Sequence, residues 1–173
     1  MDYLIFIIMT ILIASRQNLL QSNITGVSQM SQYHMIVVAY TIAFACFYGY
    51  KFIKAYDIGR LKKMHPLILC NSCLMVLAIC LPYHHNGHDL ISQLHVGFSL
   101  GAAVFTVLLL LIMIRETFLY DQELAMRLFY YFSGFSSLLI MDILMCGCIN
   151  GLSEIILNVA MSTLLFIKLH EKA

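Results

Sequence analysis

Apolar residues in this chain fall into six blocks, Tyr3 to Ala14, Met35 to Tyr50, Pro66 to Leu81, Leu94 to Ile114, Leu128 to Met145 and Ile155 to Leu169, with the charges gathered between them. Crossing the hydrocarbon core takes roughly 20 residues, with a range of about 17 to 25. The middle four blocks reach that length once their polar ends are included, whereas the first and last are short. Lipid requires every backbone N–H and C=O to be satisfied within the protein, and these runs are too long and unbroken for barrel strands. The pattern therefore predicts an all-α, polytopic membrane protein with six transmembrane helices. The first block lacks the basic n-region and small-residue cleavage site of a signal peptide and is read as retained. Its shortness leaves an alternative of five spans plus an interfacial first helix.

Composition points the same way. The chain is 61% hydrophobic and 11% charged with mean hydropathy +0.87, against about 45–50% and about 25% for soluble domains. The longest polar stretches, Arg16 to Tyr33, Lys51 to His65 and Arg115 to Arg127, hold no soluble domain, so residues 1–173 read as one transmembrane helical domain. A net charge of +1 supplies no field for nucleic acid, and neither a P-loop nor a GxGxxG is present.

Basic residues near span ends stay on the cytoplasmic side. Of ten Lys and Arg, only Arg16 falls on the other side, which places both termini in the cytoplasm. Tyrosines at the block ends agree: Tyr33 and Tyr83 mark outer ends, and Tyr50, Tyr120 and Tyr130 inner ones. Asn23-Ile24-Thr25 is then an outward glycosylation sequon.

Polar chemistry concentrates at the outer ends. Four of the seven histidines lie in His84-His85-Asn86-Gly87-His88-Asp89 and at His95. Asn86-Gly87 reads as the turn and Asp89 as the cap of the next helix. His85, His88 and His95 are the candidate ligands of a divalent metal, although one short loop rarely supplies a full set. Asp142 lies about 22 Å beyond Arg127 at 1.5 Å per residue, where an intramembrane carboxylate must face the bundle or water and have a partner. Glu154, Asn158 and His95 fall at comparable depth. His95, Asp142 and Glu154 are accordingly the candidate catalytic residues of an outer-leaflet His/carboxylate pocket able to relay protons, hold a metal or bind a lipid headgroup. His34 and His95, each opening a helix, are the pair that would ligate a haem.

Other motifs read as packing. Gly97-Phe98-Ser99-Leu100-Gly101 is a GxxxG that permits close helix approach. Cys46, Cys70 and Cys73 lie inside apolar blocks, where thiols behave as small hydrophobes, and Cys70-Asn71-Ser72-Cys73 sits at the wrong depth for disulfide chemistry. The shared depth of Cys80, Cys146 and Cys148 is compatible with one bridge from Cys80 to either of the others.

The order of these features resembles the six-helix membrane family of the damage-regulated autophagy modulators and the related GPI-anchor lipid remodelling proteins. A short first helix precedes an outer loop with Thr25-Gly26, a basic cytoplasmic loop and a Cys-containing third helix; then an outer turn leads into the His-x-Gly-x-x-x-Gly-Ala stretch from His95 to Ala102. Val27-Ser28-Gln29 stands where that family carries a Pro-rich stretch. The resemblance implies lipid or trafficking biology in a plasma, lysosomal or other endomembrane, and it gives His95 no assigned role. Two functions follow from the sequence. The first is a non-enzymatic membrane module that binds lipids or other membrane protein chains, as a homo-oligomer or complex subunit. The second is a membrane enzyme or transporter using the outer pocket, with metal or haem as its cofactor.

Overall fold

The computed structural model describes residues 2–58, 61–82 and 89–170, and among these there are helices and no strands. The elements are α1 (Asp2–Ala14), α2 (Ile24–Ser28), α3 (His34–Ile58), a 3-10 turn at Lys62–Met64, α4 (His65–Cys80), α5 (Leu90–Phe118), α6 (Gln122–Cys146) and α7 (Gly151–His170). Five of the spans are long and apolar enough to cross a membrane, and α1 is a shorter apolar helix. The all-helical class is the one that the apolar blocks predict, with five rather than six of the described helices long enough to span.

Helix ends follow local chemistry. Asp89 accepts from the Ser92 N–H at 3.2 Å and from its hydroxyl at 2.7 Å, starting α5 as expected of an N-cap. Asp121 does the same for α6 through the Leu124 N–H at 3.0 Å. Pro66 sits in the first turn of α4, where no N–H is needed. Gly147, at φ 72°, closes α6 with its N–H on the Ile143 carbonyl at 2.8 Å, a left-handed cap that few other residues adopt without strain. Four helices outrun their apolar blocks: α3 continues past Tyr50 to Ile58, α5 runs from Leu90 to Phe118, α6 begins at Gln122 rather than near Leu128, and α7 begins at Gly151. Hydropathy marks where lipid could lie, whereas capping and packing decide where the helix ends.

The chain packs as two compact units, Met1–Val27 with Ile114–Ala173, and Ser28–Met113. In the second, α3 packs on α4. Its buried positions Val37, Tyr40, Phe44, Tyr48, Phe52 and Ala55 recur every three or four residues, the signature of one covered helix face. The closest approach is at Gly49, where a Cβ would lie 2.8 Å from Ser72 Oγ; Ser72 in turn donates to the Ala45 carbonyl at 3.2 Å. Two further bonds join α5 to this pair: Tyr56 donates to the Leu109 carbonyl at 2.7 Å and Asn71 Nδ2 to Thr106 Oγ1 at 3.0 Å.

In the first unit, α7 packs against α6 and α1. Tyr3 meets the Phe166 ring edge-on at 6.2 Å, Asn158 donates to Thr10 and to the Phe6 carbonyl, and Gly151 faces Ala14. These pairings run in opposite senses along the two helices, so α1 lies antiparallel to α7 over its whole length. Gly151 permits the closest contact, since a Cβ there would meet Ala14 Cβ, Leu19 Cδ2 and the Ser22 carbonyl, each at 3.3 Å. Gly151→Val should therefore lower stability by about 1–3 kcal/mol through overpacking, read as a fall in the detergent-solubilised melting temperature. Gly97→Val, with nothing within 4 Å of its Cβ, should leave that temperature unchanged; equal effects would remove the α1–α7 contact from the account.

Candidate functional site

The first four N–H groups of a helix lack intrahelical partners, and the site around Asp142 is built on the start of α7. There Asn150 Oδ1 accepts from the Ser153 N–H at 3.0 Å while Ser153 Oγ accepts from the Asn150 N–H at 3.2 Å. This is a reciprocal capping box with serine in the place usually held by Glu or Gln. The loop after α1 supplies the rest: Gly151 donates to the Ser22 carbonyl at 2.7 Å and Leu152 to the Leu19 carbonyl at 3.3 Å. The α7 N-terminus is thus closed by protein groups.

Asp142, buried on α6, completes the arrangement. Ser153 Oγ lies 2.6 Å from its Oδ2, and Asn150 Nδ2 and Cys146 Sγ approach Oδ1 at 3.5 and 3.6 Å. Hydroxyl, amide and thiol donors surround the carboxylate, as a charge withdrawn from water requires. The partner that the sequence demanded for Asp142 comes from the next helix start, eleven residues on. Asn150-x-x-Ser153 was the readable signal for it.

Glu154 is half-buried on the same first turn and accepts from the Ile24 N–H at 2.7 Å, holding the start of α2. Asn23 Oδ1 accepts from the Gly26 N–H at 2.9 Å, so the sequon side chain caps the same short helix. Gln17 secures the loop by donating to the Gly26 carbonyl at 3.0 Å and accepting from Ser22. Asn158 is engaged one turn further down, with α1.

His95 belongs to the other unit. It is buried on α5, with Nδ1 3.1 Å from the carbonyl of Leu81, the residue that ends α4. His34 stands exposed at the start of α3, with Nδ1 3.0 Å from the Ser28 carbonyl. His84, His85, Asn86, Gly87 and His88 lie outside the described residues. Among the described residues no three His, Cys, Asp or Glu side chains gather as a metal ion needs.

Among the described residues nothing lies within 4 Å of a Cβ placed on Gly97, and one on Gly101 would meet Leu74 Cδ1 at 3.6 Å. All six cysteines are free. Cys46, Cys70 and Cys73 are exposed on α3 and α4 rather than packed in the core, because each falls off the covered face of its helix.

Lys168, which the sequence analysis singles out for no role beyond its charge, is 1% exposed. Its ammonium donates to Thr117 Oγ1 at 2.8 Å and to the Tyr120 hydroxyl, and lies 4.6 Å from the centre of the Tyr120 ring. A cation in the last turn of α7 also complements the helix dipole. Met161, Leu164, Leu165 and Lys168 share one buried stripe at helical spacing, the signal that exposes it.

Comparison with models of protein families, with curated proteins and with solved structures finds no match. Functional reading therefore rests on the geometry of the chain itself.

Ser153→Ala removes a bond to a buried carboxylate and half of a capping box, and should cost about 2–3 kcal/mol of stability. Asp142→Asn combined with Ser153→Ala should cost less than the sum of the single changes by at least about 1 kcal/mol. Additive effects in the double-mutant cycle would mean that the two side chains do not act together.

Proposed function

We propose that this protein is a six-span, non-enzymatic membrane protein that binds lipids or other membrane protein chains through its outward helix faces, with both termini in the cytoplasm. The observation that carries the reading is the apolar surface left uncovered on the long helices. On α6, Tyr130, Leu138, Met141, Leu144 and Met145 are all more than half exposed, Leu144 reaching 79%. Surface of that kind needs lipid or another protein against it. The antiparallel course of α1 along α7 supports counting α1 as the sixth span rather than as an interfacial helix. The resemblance in feature order to the autophagy-modulator and lipid-remodelling family is in keeping with a lipid-facing role.

The enzyme or transporter reading has less support. Asp142 accepts from the Ser153 hydroxyl, Glu154 from the Ile24 N–H that starts α2, and His95 Nδ1 lies against the carbonyl that ends α4. The buried polar groups of α5 at His95 and Thr106 are eleven residues apart, about 16 Å along the axis, too far for direct proton transfer between them.

Two measurements test the proposal. Reporters placed in the connection between α3 and α4 and in the connection between α4 and α5 should face opposite sides of the membrane; the same side would overturn the topology, and an external amino terminus would reduce the count to five spans. Gly97→Leu probes packing against other chains without disturbing this one. In native mass spectrometry from mild detergent it should lower a homo-oligomer or partner-bound population severalfold at unchanged melting temperature. An unaltered assembly would take this α5 face out of the interface.

A further inference from the structure

The connection between α3 and α4 carries more unbalanced charge than any helix face described above. Asp57 is the one acid between Lys51 and His65, and its carboxylate is turned to the His65 imidazole at 3.0 Å. Lys54, Lys62 and Lys63 are exposed, and among the described residues no carboxylate pairs with them. Lys51 adds a fourth cation, its ammonium 5.1 Å from the centre of the Phe47 ring. Three unpaired ammonium groups at one corner repel one another, and a nearby anion relieves that repulsion.

The setting indicates what the anion is. Tyr50, Ile58 and Leu69 are exposed beside these lysines on the same two helices, so the charge sits where apolar, membrane-long helices meet their polar end. An aromatic and aliphatic rim under a cationic edge matches the headgroup level of a bilayer. We infer that the α3–α4 corner is a binding surface for anionic phospholipid headgroups, held through Lys54, Lys62 and Lys63. The inference rests on the membrane reading above and names the lipid class for it. Lysine ammoniums act as flexible point charges rather than as planar forks, so recognition follows headgroup charge more than headgroup stereochemistry.

The test uses the full chain in nanodiscs of mixed phosphatidylcholine and phosphatidylglycerol, with retained lipids counted by native mass spectrometry. The wild type should keep phosphatidylglycerol in preference to phosphatidylcholine. Lys54→Gln/Lys62→Gln/Lys63→Gln should reduce that preference at least about fivefold, while Arg115→Gln, a charge removed at another turn, should leave it in place. Equal retention by wild type and triple variant would overturn the inference. A salt series on the wild type serves even if the triple variant misfolds: from 0.1 to 1 M salt the Debye length falls from about 10 to about 3 Å, and a preference untouched by that change also overturns it. A chain that does not enter nanodiscs at all would instead defeat the membrane reading itself, whereas insertion without lipid preference defeats the charged corner alone.

Discussion

Everything in the first unit depends on satisfying the free N–H groups at the start of α7. Gly151 and Ser153 are buried, and a donor left bare away from water costs about 1–3 kcal/mol or more. The chain meets the demand with two loop carbonyls and one capping box. Because those carbonyls belong to Leu19 and Ser22, α1 and its following loop are fixed to α7, and because Ser153 also serves Asp142, α6 is fixed as well. Glu154 then extends the arrangement to α2 through Ile24. One local requirement of backbone chemistry thus sets the positions of four helices.

The second unit is organised differently. Polar bonds spaced along its helices include Ser72 to Ala45, Asn71 to Thr106, Tyr56 to Leu109 and His95 to Leu81. Between them lies an aromatic stripe, with Phe44 and Tyr48 in ring contact at 4.4 Å. Apolar contact gives these helices their area, and the scattered bonds give them their register.

The all-helical class and the approximate place of the long helices were legible in the sequence because the blocks of apolar residues are long and well separated, whereas the short α2 carried no such signal. Ends were less so. The last two turns of α3 carry Lys51, Lys54 and Asp57, which a hydropathy reading ends before, yet Phe52, Ala55 and Tyr56 on the opposite face are buried and keep the helix going. Asp142 was legible as a residue in need of a partner, since a carboxylate at that depth cannot stand alone, but the partner's identity depended on a turn geometry that composition does not encode. Lys168 shows the reverse failure: its type argued for water, while the stripe it continues argued for burial. The use of Gly49, rather than Gly97 and Gly101, for the close approach of two helices turns on which face each glycine occupies, and spacing alone does not settle that.

The division of the chain has a consequence for the order of its assembly. Residues 28–113 form one unit from a continuous stretch, so its helices can find one another as soon as they leave the ribosome. The other unit joins the two ends of the chain: Thr10 meets Asn158 across 148 residues. Closing so long a loop is entropically slow relative to local pairing. During synthesis the Thr10 face of α1 therefore stays without its final partner until α7 has been made. Through that interval residues 28–113 already hold their own partners, so the two units mature at different times.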